Sequence, residues 1–201
     1  MNDLSVSLGM LSSLYLCKPS REAIERWNSL LTVEAPDFMA ELRGALSGVD
    51  VTCEAILEDL LWEHTRLFVG PYKIPCPPWE SVYTSPGRLM MQSAFDDVLD
   101  FYREAGLVVN TQEVMADHVG AELNFLAVLL RRMGEQPDKQ VLLASIARRF
   151  FEAHLKNWIP QFAKDLEEAA TLLVYKTLAR TTVELVNRLD CRFRAIGPDV
   201  L

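Results

Sequence analysis

Three polar residues near the middle of the chain have types and spacing that could support chemistry. Asp117 and His118 are adjacent, and Glu122 follows His118 by four residues, which places both side chains on one face of a helix. A histidine beside a carboxylate is the arrangement of an acid–base pair, and one hypothesis is therefore a small helical hydrolase, metal-dependent, that uses these residues. The same residues also fit a helix N-cap at Asp117 and a surface hydrogen bond between His118 and Glu122. Both interpretations stay open at this point.

A resident metal or nucleotide has little support in the sequence. His118 and Glu122 would be half of a metal site, but only His64 and His154 remain as further histidines. The Glu-x-x-His pairs of di-iron bundles, the CxxC pairs of zinc sites and the P-loop pattern do not occur. We therefore expect no metal and no cofactor.

The charge of the chain narrows the choice of partners. There are 28 acidic against 20 basic residues, a formal net charge of -8. Such a surface repels nucleic-acid phosphates and anionic lipids and favours cationic partners. No stretch of about 18 uncharged apolar residues could span a membrane, and Met1 to Tyr15 lack the basic residues of a secretion signal. We expect a cytoplasmic protein whose four cysteines are free thiols.

Apolar residues recur at helical spacing along nearly the whole chain, and no period-two strand is evident. We expect the helical pattern to resume around Arg88 after a Pro-rich interruption, and to be interrupted again at Trp158 and Pro160. The fold class is predicted to be all-α, a single-domain helical bundle over residues 1–201 with a lobe boundary near 134–137. The clearest stripes are Leu4, Leu8, Leu11 and Tyr15; Ile24, Trp27, Leu30 and Leu31; and Leu123, Leu126, Leu129 and Leu130.

The longest segment without helical spacing runs from Gly70 to Pro86. Gly70 is predicted to end the preceding helix in the left-handed conformation, and Pro71 prevents the helix from continuing. Long ordered loops in compact domains are often functional, so this segment is a candidate binding loop. Its prolines are Pro71, Pro75, Pro77, Pro78 and Pro86.

These motifs resemble those of the redox-enzyme maturation chaperones of the TorD, DmsD and NarJ type. The resemblance rests on Leu67-Phe68-Val69-Gly70-Pro71, on Pro77-Pro78-Trp79-Glu80-Ser81-Val82-Tyr83, and on Asp117-His118-Val119-Gly120-Ala121-Glu122. Phe151, His154 and Trp158, followed by Tyr175, are similar to the family's later helices. The resemblance implies a TorD-like helical bundle that binds a signal peptide and catalyses no reaction.

A twin-arginine signal presents two guanidinium groups followed by an apolar segment. Guanidinium pairs with carboxylates and stacks on aromatic rings. The carboxylates could come from Glu80, Asp117 and Glu122, and the rings from Trp79 and Tyr83. Each of these residues also has an ordinary structural interpretation as core or cap. The candidate peptide-binding residues are Leu67, Phe68, Gly70, Pro71, Pro78, Trp79, Glu80, Ser81, Tyr83, Asp117, His118 and Glu122.

The function implied by the resemblance is that of a chaperone for a molybdenum-containing oxidoreductase subunit. It would bind the twin-arginine signal peptide, and part of the enzyme's body, until the enzyme has matured for export. The protein is expected to be a monomer that can form a dimer by exchanging its last helices. The hydrolase and a permanent structural subunit of a reductase complex are the alternatives. We further expect the Gly70–Tyr83 loop and the Asp117-His118 pair to lie side by side.

Overall fold

The computed structural model describes residues 2–33, 35–71 and 73–195, and helices make up most of these ranges. Two 3-10 turns, Asp37–Met39 and Pro137–Lys139, precede the third and eighth α-helices. The prediction of an all-α fold is therefore confirmed. The α-helices are α1 Asn2–Leu16, α2 Arg21–Val33, α3 Ala40–Ser47, α4 Glu54–Phe68, α5 Glu80–Thr84, α6 Ser93–Glu104, α7 Val119–Glu135, α8 Gln140–Ala153, α9 Leu155–Ala169 and α10 Leu173–Ala195.

Local sequence signals account for several helix ends. Ser20 Oγ accepts a hydrogen bond from the Ala23 N–H at 3.2 Å, which caps the N-terminus of α2. Gly70 has a φ of +95°, and its N–H donates to Thr65 O at 2.9 Å just beyond the end of α4. A residue with a Cβ would be strained in that conformation, so glycine allows the chain to leave the helix there.

Helix α1 lies along α7, and this is the most extensive helix pair of the bundle. A Cβ built on Gly120 would be only 2.5 Å from Leu16 Cγ and 3.1 Å from Ser12 O, so the two helices meet closely here. Ser12 Oγ donates to Gly120 O at 2.7 Å across the same contact. The first turn of α7, and with it the Asp117-His118 pair, is thereby fixed against α1.

The hydrophobic core lies where α7, α8 and α9 meet, with α1 and α10 against them. Its aromatic residues pack mostly edge to face or tilted, as the ring quadrupoles favour. The largest fully buried side chains are Trp158, Phe125, Phe150, Phe151 and Phe162.

Three local expectations are wrong. The Pro-rich segment contains a short helix, α5, and α6 begins at Ser93, not near Arg88, because Arg88 and Met91 have positive φ values of 51° and 55°. Leu89 is consequently 58% exposed. Pro160 lies inside α9, in a helix whose buried Ile159 and Phe162 fix it to the core.

Within the described ranges the only β-type pairing is an isolated antiparallel bridge between Trp79 and His118. No helix there is long and apolar enough to cross a bilayer. The predicted lobe boundary at 134–137 falls in the turn between α7 and α8, and the division of the chain into lobes stays a prediction.

Candidate functional site

The two motifs that the sequence singles out are in direct contact, as expected. Besides the bridge between Trp79 and His118, the Val119 N–H donates to Pro78 O at 2.8 Å and the Glu80 N–H donates to Asp117 O at 2.9 Å. The segment 78–80 is thus held by its backbone against the residues that lead into α7. Helix α5 and helix α7 both begin at this contact.

Asp117 fixes the start of α5. One of its carboxyl oxygens accepts the Ser81 N–H at 3.1 Å and also the Ser81 hydroxyl. Ser81 Oγ in turn accepts the Gln92 N–H at 3.3 Å, which links the beginning of α6 to the same point. Asp117 is fully buried, and its burial raises the pKa of the carboxyl although the bonds from Ser81 lower it. Asp117 is therefore a polar anchor inside the protein.

His118, not Asp117, is the N-cap of α7. Its Nδ1 accepts the Gly120 N–H at 3.0 Å, which corrects the interpretation of Asp117 as the cap of the helix that follows it. Burial lowers the pKa of His118 to about 4, with a smaller contribution from His64, so the ring is neutral at pH 7. Because Nδ1 is an acceptor, the proton of the neutral ring is on Nε2, which can donate a hydrogen bond.

Glu122 faces the core. Trp158 Nε1–H donates to its Oε2 at 3.0 Å, and the side chain is fully buried. Burial, followed by the charge of Glu80, raises the pKa of Glu122 well above its usual value. The interpretation of a surface hydrogen bond between His118 and Glu122 is therefore wrong.

Glu80 pairs with a histidine to which the sequence gave no role in the site. His154 Nδ1 lies 2.7 Å from Glu80 Oε2, and both side chains are at most 4% exposed. The sequence points to His154 only as a further histidine for a metal site and as part of the resemblance to the family's later helices. Glu80, Asp117 and Glu122 are all buried, so the hypothesis that they supply the negative charge for an arginine stays a prediction that their burial does not favour.

A groove of about 300 Å³ opens beside the contact between the two motifs, and we call it the aromatic groove. Of the predicted site residues, Phe68, Pro78, Trp79 and His118 line it. The Trp79 and His118 rings are 6.1 Å apart and close to perpendicular. The groove is also lined by Tyr15, Leu16, Lys18, His64, Val69, Glu113, Val114 and Met115.

His64 is one of the lining residues that the sequence did not place in the site. It is 4% exposed, burial lowers its pKa to about 4, and neither ring nitrogen has a hydrogen-bond partner among the described residues. An unpartnered polar side chain at the back of a groove leaves hydrogen-bonding capacity for a ligand. The one indication in the sequence is its position one helical turn before Phe68. In the structure the centroids of the two rings are 5.2 Å apart.

The remaining predicted residues support the groove from outside it. Leu67 is fully buried in the core, and its carbonyl accepts the thiol hydrogen of Cys76. Gly70 and Pro71 end α4, and Tyr83 packs on Trp158 with ring centroids 5.4 Å apart. These residues shape the binding loop without lining the groove.

The geometry gives no support to hydrolysis by the Asp117-His118 pair. The two side chains bond to different partners, Ser81 and Gly120, and not to each other. In the described part of the chain, no group of three or more His, Cys, Asp or Glu side chains is placed to hold a metal ion.

Comparison with known proteins identifies the family. Residues 30–164 match the family model described as nitrate reductase delta subunit. The chain belongs to this family. It is 30% identical over 169 residues to the Tat proofreading chaperone DmsD of Salmonella typhi, covering 80% of this chain and 76% of that protein. It is 26% identical over 201 aligned residues to the chaperone protein TorD of Vibrio atlanticus, covering 92% and 91%.

A solved structure shows the same fold. A crystal structure from Archaeoglobus fulgidus, of a protein assigned to redox enzyme maturation, matches with a TM-score of 0.64 and 22% identity. The match covers 90% of this chain and 93% of that one. The family's curated members named above are chaperones, not enzymes. The resemblance seen in the sequence and the interpretation as a chaperone are both confirmed.

Proposed function

We propose that the protein binds the twin-arginine signal peptide of a molybdenum-containing oxidoreductase subunit in the cytoplasm and holds it until the enzyme has matured. Family membership supports this proposal, as do the relatives named as Tat proofreading chaperones. The observation that carries it is the aromatic groove, which lies where the family's two motifs meet.

The lining of the aromatic groove suits an extended, apolar stretch of peptide. Its apolar surface comes from exposed Val69 and from half-buried Trp79 and Met115, with buried Phe68 and Pro78 behind them. The Nε2–H of neutral His118 can donate to a peptide carbonyl, and buried His64 offers further unused polar atoms. The wall is held by backbone hydrogen bonds before any ligand binds, so little conformational entropy is lost on binding.

Calorimetry tests the proposal. Three synthetic peptides would carry Arg-Arg, Lys-Lys or Gln-Gln before the same apolar segment, each measured at low and at physiological salt. We expect the Arg-Arg peptide to bind tightest and its affinity to fall with salt, because exposed charges are screened beyond about 8 Å at physiological ionic strength. Equal, salt-independent affinities for the three peptides would contradict recognition of the arginine pair.

A permanent structural subunit of a reductase complex is the second candidate, because the matching family is described as a delta subunit. Co-purification separates the two functions. A chaperone is released when the mature enzyme forms, whereas a structural subunit stays bound through every purification step.

A further inference from the structure

A second groove opens on the other side of the segment 78–80, and we call it the acidic groove. It lies between α6 and the end of α8, has a volume of about 470 Å³, and falls within the range of roughly 300–1,000 Å³ that is usual for ligand pockets. Trp79 lines the aromatic groove and Glu80 lines the acidic one, so this short segment is the wall between them. The lining residues that bear on its chemistry are Glu80, Asp97, Asp100, Phe101, Glu104, Arg149 and His154.

The exposed charge of the acidic groove is predominantly negative. Asp97, Asp100 and Glu104 follow one another at spacings of three and four residues along α6, so they lie on one face of that helix. All three are exposed, and Asp97 forms no ion pair with any described residue. The aromatic groove, by contrast, contains one acidic residue, Glu113, and one basic residue, Lys18.

A buried and unpartnered polar atom belongs to the lining of the acidic groove. His154 is 3% exposed and its Nε2 has no hydrogen-bond partner in the described part of the chain. Its Nδ1 lies 2.7 Å from a carboxyl oxygen of Glu80, and in the tautomer whose Nδ1–H donates to that oxygen the Nε2 keeps its lone pair. An atom of this kind accepts a hydrogen bond from a cationic N–H donor. The groove therefore offers both carboxylates and a buried acceptor.

The protein's own Arg149 shows that the groove accommodates a guanidinium group. The Arg149 guanidinium carbon lies 5.5 Å from the centroid of the Phe101 ring, and the same side chain forms an ion pair with Glu104. Stacking on an aromatic ring combined with pairing to a carboxylate is the arrangement that guanidinium prefers. Asp97 and Asp100 are left for further cations, although Asp100 also contacts Arg103.

We propose that the acidic groove binds the arginine pair of the client's signal peptide, while the apolar stretch that follows lies in the aromatic groove. This inference rests on the proposed function and adds to it the place where positive charge is recognised. The carboxylates that do this are Asp97 and Asp100, since Glu104 is paired with Arg149, and not the buried Asp117 and Glu122. His154 Nε2 accepts from one of the bound guanidinium groups.

Charge variants with opposite expected effects test the proposal. The probe is a fluorescent synthetic peptide in which Arg-Arg precedes an apolar segment of about ten residues, with a Gln-Gln peptide as its uncharged counterpart. The double variant Asp97→Asn, Asp100→Asn should weaken Arg-Arg binding about five- to tenfold at physiological salt, the combined effect of two partly screened ion pairs. Binding of the Gln-Gln peptide should not change. Arg149→Gln should tighten Arg-Arg binding, because it removes the cation that competes for Phe101 and Glu104.

A matched control removes the same charge elsewhere. Glu58 and Asp59 are exposed residues of α4 that line neither groove. The double variant Glu58→Gln, Asp59→Asn should bind both peptides like the unmodified protein, and thermal melting would establish that every variant is folded. If the unmodified protein prefers Arg-Arg and the Asp97, Asp100 variant keeps that preference in full, the acidic groove is not the site and the proposed function stands. If the unmodified protein shows no preference for Arg-Arg, the proposed function and this inference are both wrong.

Discussion

At the scale of single residues, Trp79 and His118 are two rings in contact, one from each of the two motifs that meet at the aromatic groove. Trp79→Ala and His118→Ala should each weaken peptide binding by about 1–3 kcal/mol, the range for losing one aromatic or polar anchor. Calorimetry with the Arg-Arg peptide measures this loss.

The control for His118 follows from its second role as the cap of α7. His118→Ala also removes the acceptor for the Gly120 N–H, so it should cost about 1 kcal/mol of stability. His118→Asn keeps an acceptor suited to capping but lacks the Nε2–H, and it should lose peptide affinity while keeping its melting temperature. Binding of His118→Asn equal to that of the unmodified protein would show that the imidazole makes no contact with the peptide.

Glu122 makes the stability depend on pH. Burial and the neighbouring Glu80 raise the pKa of Glu122 in the folded state, so the neutral carboxyl contributes its full stability below the unfolded-chain pKa. That contribution is lost as the pH rises through the folded-state pKa. Glu122→Gln keeps a neutral acceptor for Trp158 Nε1–H. It should therefore be more stable than the unmodified protein at pH 8, because glutamine stays neutral where the folding of the unmodified protein must either bury a charge or take up a proton.

Denaturant melts at pH 8 and pH 4.5 would measure the difference for Glu122→Gln. The two proteins should converge at the lower pH, where Glu122 itself is largely protonated. Glu58→Gln, an exposed change on α4, should leave stability the same at both pH values. A Glu122→Gln protein less stable at pH 8 would mean that the ionised carboxylate is favoured by its surroundings.

The residue types of Glu80, Asp117 and Glu122 do not indicate that these three carboxylates are buried. Acidic side chains are rarely fully buried unless they have partners, so their types in the sequence indicate surface positions. The partners here are Ser81, Trp158 and His154, each more than thirty residues from the carboxylate in question. No short sequence pattern indicates contacts between residues so far apart in the chain.

At the scale of helices, the close contact between α1 and α7 depends on Gly120. A Cβ at this position would meet Leu16 and the Ser12 carbonyl, so Gly120→Ala should destabilise the protein by about 1–3 kcal/mol, as overpacking does. This would occur although alanine is the better helix former by about 1 kcal/mol. Chemical denaturation gives the change in the free energy of unfolding.

Gly134 provides the matched control in the same helix. A Cβ there would meet nothing within 4 Å, so Gly134→Ala should be neutral or stabilising. If both substitutions shifted the unfolding midpoint equally, the difference would not come from the contact with α1.

The helical spacing of apolar residues predicted the long helices, but it could not predict α5. The five residues Glu80–Thr84 are too few to display a helical stripe, and the prolines around them indicate loop. The beginning of α5 is fixed by the Asp117 carboxylate, which is 36 residues away in the sequence. For the same reason Tyr15 could be assigned only to the apolar stripe of α1, since a stripe shows which side of a helix is apolar and not where that side borders a groove.

At the scale of the whole molecule, the turn between α7 and α8 is the predicted hinge for an exchange of the last helices between two chains. Helices α9 and α10 pack on each other and α10 also contacts α1 and α3, so an exchanged dimer would reform the same contacts. A concentrated, aged sample should therefore accumulate dimer on size-exclusion chromatography, while a fresh sample elutes as monomer.

A variant with a longer turn between α7 and α8 is the control for this prediction. Inserting flexible residues after Gln136 should reduce the dimer fraction, because short hinge turns favour exchange and longer ones relieve it. A dimer fraction that does not depend on hinge length would show that association uses another surface.

The wall formed by residues 78–80 separates two grooves of different chemistry, and this has a consequence for selectivity. A signal that fills both grooves places its second half at high effective concentration once the first half is bound. Its avidity then exceeds that of either half by a large factor, whereas an apolar segment without arginines, or arginines without an apolar segment, dissociates quickly. The protein would thus require both the arginine pair and the apolar segment. The rigid three-residue wall would set the distance between them that a client peptide must match.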